Sequence, residues 1–126
     1  MGMFKTKKEI NAIRVSANIV SEILKELSQN VKEGVTPIEI NLLCNKLINS
    51  HNAIAACLGY YDFPASMCIS VNEVAIHGIP NKVPFKNGDL VSLDLVVSKN
   101  GYLADSAITV GVGELSKNAL QLKNVT

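Results

Sequence analysis

The chain lacks any excess of charge. Twelve basic and eleven acidic side chains leave a formal net charge of +1 over 126 residues. Both signs are spread along the sequence, so the electrostatic footprint of a nucleic-acid or anionic-membrane binder is missing and neither partner is expected. There is no apolar run of about 18 residues, which excludes an ordinary helical membrane span. The start, Met1-Gly2-Met3-Phe4-Lys5, lacks the apolar core of a secretory signal, so a cytoplasmic protein is expected. The three cysteines, Cys44, Cys57 and Cys68, are odd in number and show no CxxC spacing, which argues against both a disulfide framework and a zinc knuckle. Gly2 and Thr6 match part of a myristoylation signal, but the lysines that follow fit a helix start equally well, and lipidation is not expected.

What is present is enough for one core. At 48% hydrophobic residues the chain can bury a single domain but not two. Thr6-Lys7-Lys8-Glu9 has the form of a capping box, with a hydroxyl and a carboxylate placed to satisfy free N–H groups at a helix start. Ile10, Ile13, Ala17, Val20, Leu24 and Leu27 then predict one apolar stripe to about Asn30, and Arg14, Asn18, Glu22, Lys25 and Glu26 a solvated face. Gly34 marks the connection. Thr36-Pro37-Ile38-Glu39 starts a second helix, with Thr at the cap and Pro at the first helical position. Its stripe is Ile40, Leu43, Cys44, Leu47 and Ile48, so Cys44 reads as a packed small hydrophobe. Asn49-Ser50-His51-Asn52 ends it, and His51 reads as an exposed terminal histidine outside any site.

From Ala53 to Pro80 short apolar runs alternate with turn residues. Cys57, Tyr60, Phe63 and Cys68 gather soft, polarizable surface that would suit a small apolar pocket on loops. A loop that simply covers the core accounts for them as well. His77 precedes Gly78-Ile79-Pro80, an extended, Pro-restricted segment on which a side chain can be aimed. After residue 111, Gly111-Val112-Gly113 reads as a flexible exit and Ser116 as the cap of a helix over 117–126, inside which the chain stops without a stop signal.

The segment Gly88 to Val110 is the centre of the chain. Two β-rich runs flank Asn100-Gly101, the dipeptide that favours a two-residue type I′ hairpin because both central residues take positive φ. If Lys99 pairs with Tyr102, Asp94 lies opposite Ala107 and Asp105 opposite Val96. The two acids are then diagonal neighbours on one face, with backbones roughly 7 to 8 Å apart. A shared cation would relieve their repulsion; an ordinary solvated face with two unrelated acids is the alternative. The opposite face carries Val91, Leu93, Leu95 and Val97 with Ala104, Ile108 and Val110, a set suited to packing under helices.

Taken together, Ala56-Cys57-Leu58-Gly59-Tyr60, Cys68-Ile69-Ser70-Val71-Asn72-Glu73-Val74, His77-Gly78-Ile79-Pro80, Asn87-Gly88-Asp89 and the Asp94/Asp105 hairpin resemble type I methionine aminopeptidase, in order and nearly without gaps. The resemblance implies a pita-bread α/β (α+β) fold, of which residues 1–126 would be the N-terminal half, with two helices packed on an antiparallel sheet. It implies a metallo-hydrolase that removes initiator methionine from nascent polypeptide N-termini, by metal-bound hydroxide attacking the first peptide bond.

By the same resemblance Asp94 and Asp105 correspond to the hairpin carboxylates of a site for two divalent ions (Co, Mn, Fe or Zn). His77 corresponds to the histidine that contacts substrate near the scissile bond. Cys57, Tyr60, Phe63 and Cys68 correspond to the lining of the methionine side-chain pocket. Phe63 departs from the usual tyrosine and Ser106 from the usual threonine. The family completes its metal site with one histidine and two glutamates from a second half, and nothing after Asp105 supplies them. The isolated chain is therefore expected to be inactive, to self-associate, and to need a C-terminal half as partner. A non-catalytic peptide- or protein-binding module of the same fold is the alternative.

Overall fold

Two helices form where the capping boxes place them. The structure is a computed structural model that describes residues 6–55, 66–72 and 79–113. In α1, Lys7–Asn30, the Thr6 hydroxyl accepts the Glu9 N–H at 3.1 Å and the Glu9 carboxylate accepts the Thr6 N–H at 3.3 Å. In α2, Pro37–Ser50, Thr36 and Glu39 repeat the reciprocal pair at 3.2 and 2.8 Å. Each box satisfies two N–H groups that a helix start leaves without partners. Between the helices Gly34 takes φ +91°, and a turn is made that a side chain would strain.

The buried stripe of α1 is Ser16, Ile19, Val20, Ile23, Leu24 and Leu27. This corrects the expected stripe at its start, since Ala17 is exposed and Ile10 is 43% exposed. Ser16 takes a core place because its hydroxyl has a partner there: it donates to the Tyr102 carbonyl oxygen at 2.8 Å. The predicted solvated face, Arg14 to Glu26, is exposed. The α2 stripe is as expected, with Ile40, Cys44 and Ile48 fully buried and Leu43 and Leu47 half-buried.

Among the described residues four strands make one antiparallel sheet: β1 Ile54–Ala55, β2 Cys68–Val71, β3 Leu90–Lys99 and β4 Tyr102–Gly111. β3 is central. β4 pairs along one of its edges, while β1 and β2 share the other, β1 opposite Val97 and Ser98 and β2 opposite Val91 to Asp94. Val91, Leu93, Leu95 and Val97 point to the helical side and are completely buried. Removing such side chains from water is worth roughly 1.5 to 3 kcal/mol each.

Phe85 belongs to the buried core. It is buried because its backbone is tied to the interhelical turn, its N–H donating to the Val35 carbonyl at 2.8 Å and its carbonyl accepting from Gly34 at 2.9 Å.

Two sequence expectations change. Cys68 lies on a strand and not on a loop, because Cys68–Val71 finds the free edge of β3. The exit from the hairpin is not slack: Val112 is buried, its N–H donates to the Asp89 carbonyl, and its own carbonyl accepts from Gly88. The terminal helix expected over 117–126 lies outside the described residues.

Candidate metal centre

The hairpin fixes the two acids. Asn100 and Gly101 take φ +54° and +84°, the pair of positive values a type I′ turn requires. The register runs unbroken from Lys99↔Tyr102 to Leu90↔Gly111, with Asp94↔Ala107 and Val96↔Asp105. A slip of one residue between β3 and β4 would turn Asp105 to the helical side, and Ala104, Ile108 and Val110, which pack against the core, oppose it. Asp94 and Asp105 therefore stand on the open face, one diagonal apart, at the roughly 7 to 8 Å backbone spacing of such neighbours.

Both carboxylates are exposed. Among the described residues neither accepts a hydrogen bond nor joins an ion pair. Cys68 is the direct partner of Asp94 on the other edge of β3. A buried thiol, a carboxylate and a methyl thus form one cross-strand row, Cys68–Asp94–Ala107, with Asp105 diagonal to its centre. At the hairpin-tip end the same face carries the row Ile54–Ser98–Leu103, whose apolar members are 69% and 61% exposed.

The strands that present this row are braced at their far ends. Asn72, with φ +56°, donates from Nδ2 to Asp89 at 3.0 Å, and its Oδ1 accepts the Leu90 N–H at 2.8 Å. The second Asp89 oxygen accepts the Lys86 N–H at 2.8 Å. One carboxylate and one amide so hold the exit of β2 against the entry of β3. At the entry of β2, buried Ser66 donates from its N–H to Asn41 at 2.9 Å and from its hydroxyl to Asn45 at 3.3 Å. The sequence reading missed Ser66, Asn41 and Asn45, which carry no signal short of knowing that α2 meets the segment just before β2.

The pair fits part of a site for a hard divalent cation. Two carboxylates offer oxygen ligands on rigid strands, as such ions prefer, but at most four of the six to eight oxygens they take. No group of three or more candidate ligands is assembled among the described residues. Of the predicted site residues, the structure brings together Asp94, Asp105 and Cys68. His77, Cys57, Tyr60 and Phe63 lie outside the described residues. His51, set aside from the site, caps α2 and meets Glu22 of α1 at 3.6 Å. No helix among the described residues is long and apolar enough to cross a membrane.

Comparison with known proteins gives the same picture. The chain is 40% identical over all of its 126 residues to a methionine aminopeptidase of Clostridium perfringens, of which it covers 51%. It superposes over its whole length on the crystal structure of methionine aminopeptidase from Rickettsia prowazekii, with a TM-score of 0.95, 39% identity and 51% of that chain covered. A prolidase from Pyrococcus furiosus matches at a TM-score of 0.82 and 22% identity, which shows shared fold alone. The fold is therefore the pita-bread fold, two helices on an antiparallel sheet, and the chain spans about half the length of the relatives it matches. Residues 11–126 match the model of metallopeptidase family M24, and the chain belongs to that family.

Proposed function

We propose that residues 1–126 are the N-terminal half of a methionine aminopeptidase catalytic domain, which removes initiator methionine from nascent polypeptide N-termini in the cytoplasm. The observation that carries the reading is the diagonal Asp94/Asp105 pair on the open face of β3 and β4, both carboxylates without partners among the described residues, in a chain of a metallopeptidase family. Asp94 and Asp105 would hold the metal, one ion or two (Co, Mn, Fe or Zn). A divalent metal at such a site polarises the scissile carbonyl and activates water.

The chain's own residues supply position. The β3–β4 ladder sets the two acids one diagonal apart, and Cys68 beside Asp94 offers apolar contact next to the reacting bond. Cys57, Tyr60 and Phe63 would complete the methionine pocket, and His77 would donate a hydrogen bond as charge develops on the carbonyl oxygen. The remaining ligands, a histidine and two glutamates, would come from a C-terminal half. The test is to mix this chain with a separately produced C-terminal half and assay a Met-Ala-Ser peptide with Mn²⁺ or Co²⁺. Methionine release by the mixture, and none by the chain alone, is expected. No release from a correctly assembled complex overturns the reading.

A second reading, a non-catalytic peptide-binding module, draws on one observation: no third ligand joins the two acids among the described residues. It expects Met-peptide binding that is indifferent to chelator.

A further inference from the structure

The two residues that flank the hairpin turn are each held by a different helix. On the β4 side, the carbonyl of Tyr102 accepts the Ser16 hydroxyl of α1 at 2.8 Å, and Ser16 is completely buried. On the β3 side, the Lys99 ammonium reaches the C-terminal end of α2 and donates to the carbonyls of His51 at 2.8 Å and Asn52 at 3.2 Å. That helix has no basic residue in its own last turn, so Lys99 also supplies the positive charge its C-terminus favours. Lys99 and Tyr102 are themselves ladder partners, and both lie on the helical side.

We propose that Ser16 and Lys99 are positioning residues for the carboxylate pair, a clamp that sets how the hairpin tip twists over the helices and so where Asp105 stands relative to Asp94. The inference rests on the metal-centre reading above. A two-stranded ribbon twists readily, by more than strands inside a sheet. Between Asp94 and the tip, the two residues of β1 are what pairs with the outer edge of β3 among the described residues. The Val96↔Asp105 row lies three residues from the clamped Lys99↔Tyr102 row. Releasing either strand from its helix lets the tip twist independently of the β2-braced half that holds Asp94, and the diagonal widens or narrows. Ser16 and Lys99 touch no substrate or metal in this account and act through the ladder alone.

The test uses this chain as it stands, with Mn²⁺ as probe, followed by electron paramagnetic resonance titration and by amide hydrogen exchange without metal. Ser16→Ala and Lys99→Met should each weaken Mn²⁺ binding about tenfold, the lower end of what outer partners of a metal site contribute. Each should speed exchange at Leu103 and Ala104 relative to Ile69 on β2, whereas a general loss of stability speeds all of them together. Lys99→Arg, which keeps a donor for both carbonyls, should restore both readouts. Ile40→Val, a core change in α2, should lower the melting temperature without a selective effect on Mn²⁺ or on the tip. Wild-type Mn²⁺ affinity and unchanged tip protection in both release variants overturn the clamp. If the unaltered chain shows no Mn²⁺ binding that Asp94→Asn removes, this half does not hold the ion without the ligands of the C-terminal half. Exchange then decides the clamp alone, selective loss of tip protection supporting it and unchanged protection overturning it.

Discussion

Cys68 and Asp94 are direct partners across the β2–β3 ladder, so the open face of the sheet sets a buried thiol against an exposed carboxylate in one row. Asp105 stands one diagonal from that row. Among the described residues, nothing neutralises either acid.

Asp94→Asn and Asp105→Asn should each abolish divalent-ion binding, read by calorimetry with Mn²⁺. Neither should destabilise the metal-free chain by more than about 0.5 kcal/mol, as for exposed side chains without partners. Because each change also relieves repulsion between like charges, a slight rise in melting temperature is the expected sign.

Phe85→Ala should cost about 3 to 5 kcal/mol in urea unfolding, the usual loss when a buried aromatic leaves a cavity. The ring belongs to the buried core, and its backbone is bonded to Gly34 and Val35. A loss under 1 kcal/mol would show that this segment does not share the cooperative core.

Gly101→Ala isolates backbone strain from packing. No atom lies within 4 Å of an added methyl group, yet φ is +84°. The variant should lose roughly 1 to 2 kcal/mol, the cost of a left-handed conformation for a residue with a side chain. The hairpin register in its NMR cross-strand contacts should stay the same, because the buried faces of β3 still specify it.

Asp89→Ala should cost about 1 to 3 kcal/mol, since it strips partners from the Lys86 N–H and from the Asn72 amide at once. Thermal unfolding measures it. Asp89→Asn should fall between the two, because its amide nitrogen cannot accept.

The isolated chain should self-associate, an outcome that sedimentation velocity reads directly. Ile54 and Leu103 share a row on the open face and are more than half exposed, an apolar surface next to the candidate site. A monodisperse monomer at high concentration would contradict it.

Much of this fold was legible in local chemistry. Both capping boxes, the turn at Asn100-Gly101 and the alternation of β3 are written in consecutive residues, and period and turn type alone place Asp94 and Asp105 on one face. The burial of Ser16 was not legible, because a hydroxyl enters a core only where a distant carbonyl, here that of Tyr102, meets it.

What only tertiary structure decided is which edges and ends meet. That β1 and β2 share one edge of β3, that Cys68 therefore faces Asp94, and that Lys99 reaches the carbonyls ending α2 all join residues far apart in sequence. No local pattern encodes such meetings. Periodicity and turn chemistry act over a few residues and so were readable in the chain; pairing and docking are chosen by the mutual fit of buried surfaces, which exists only once the chain has folded.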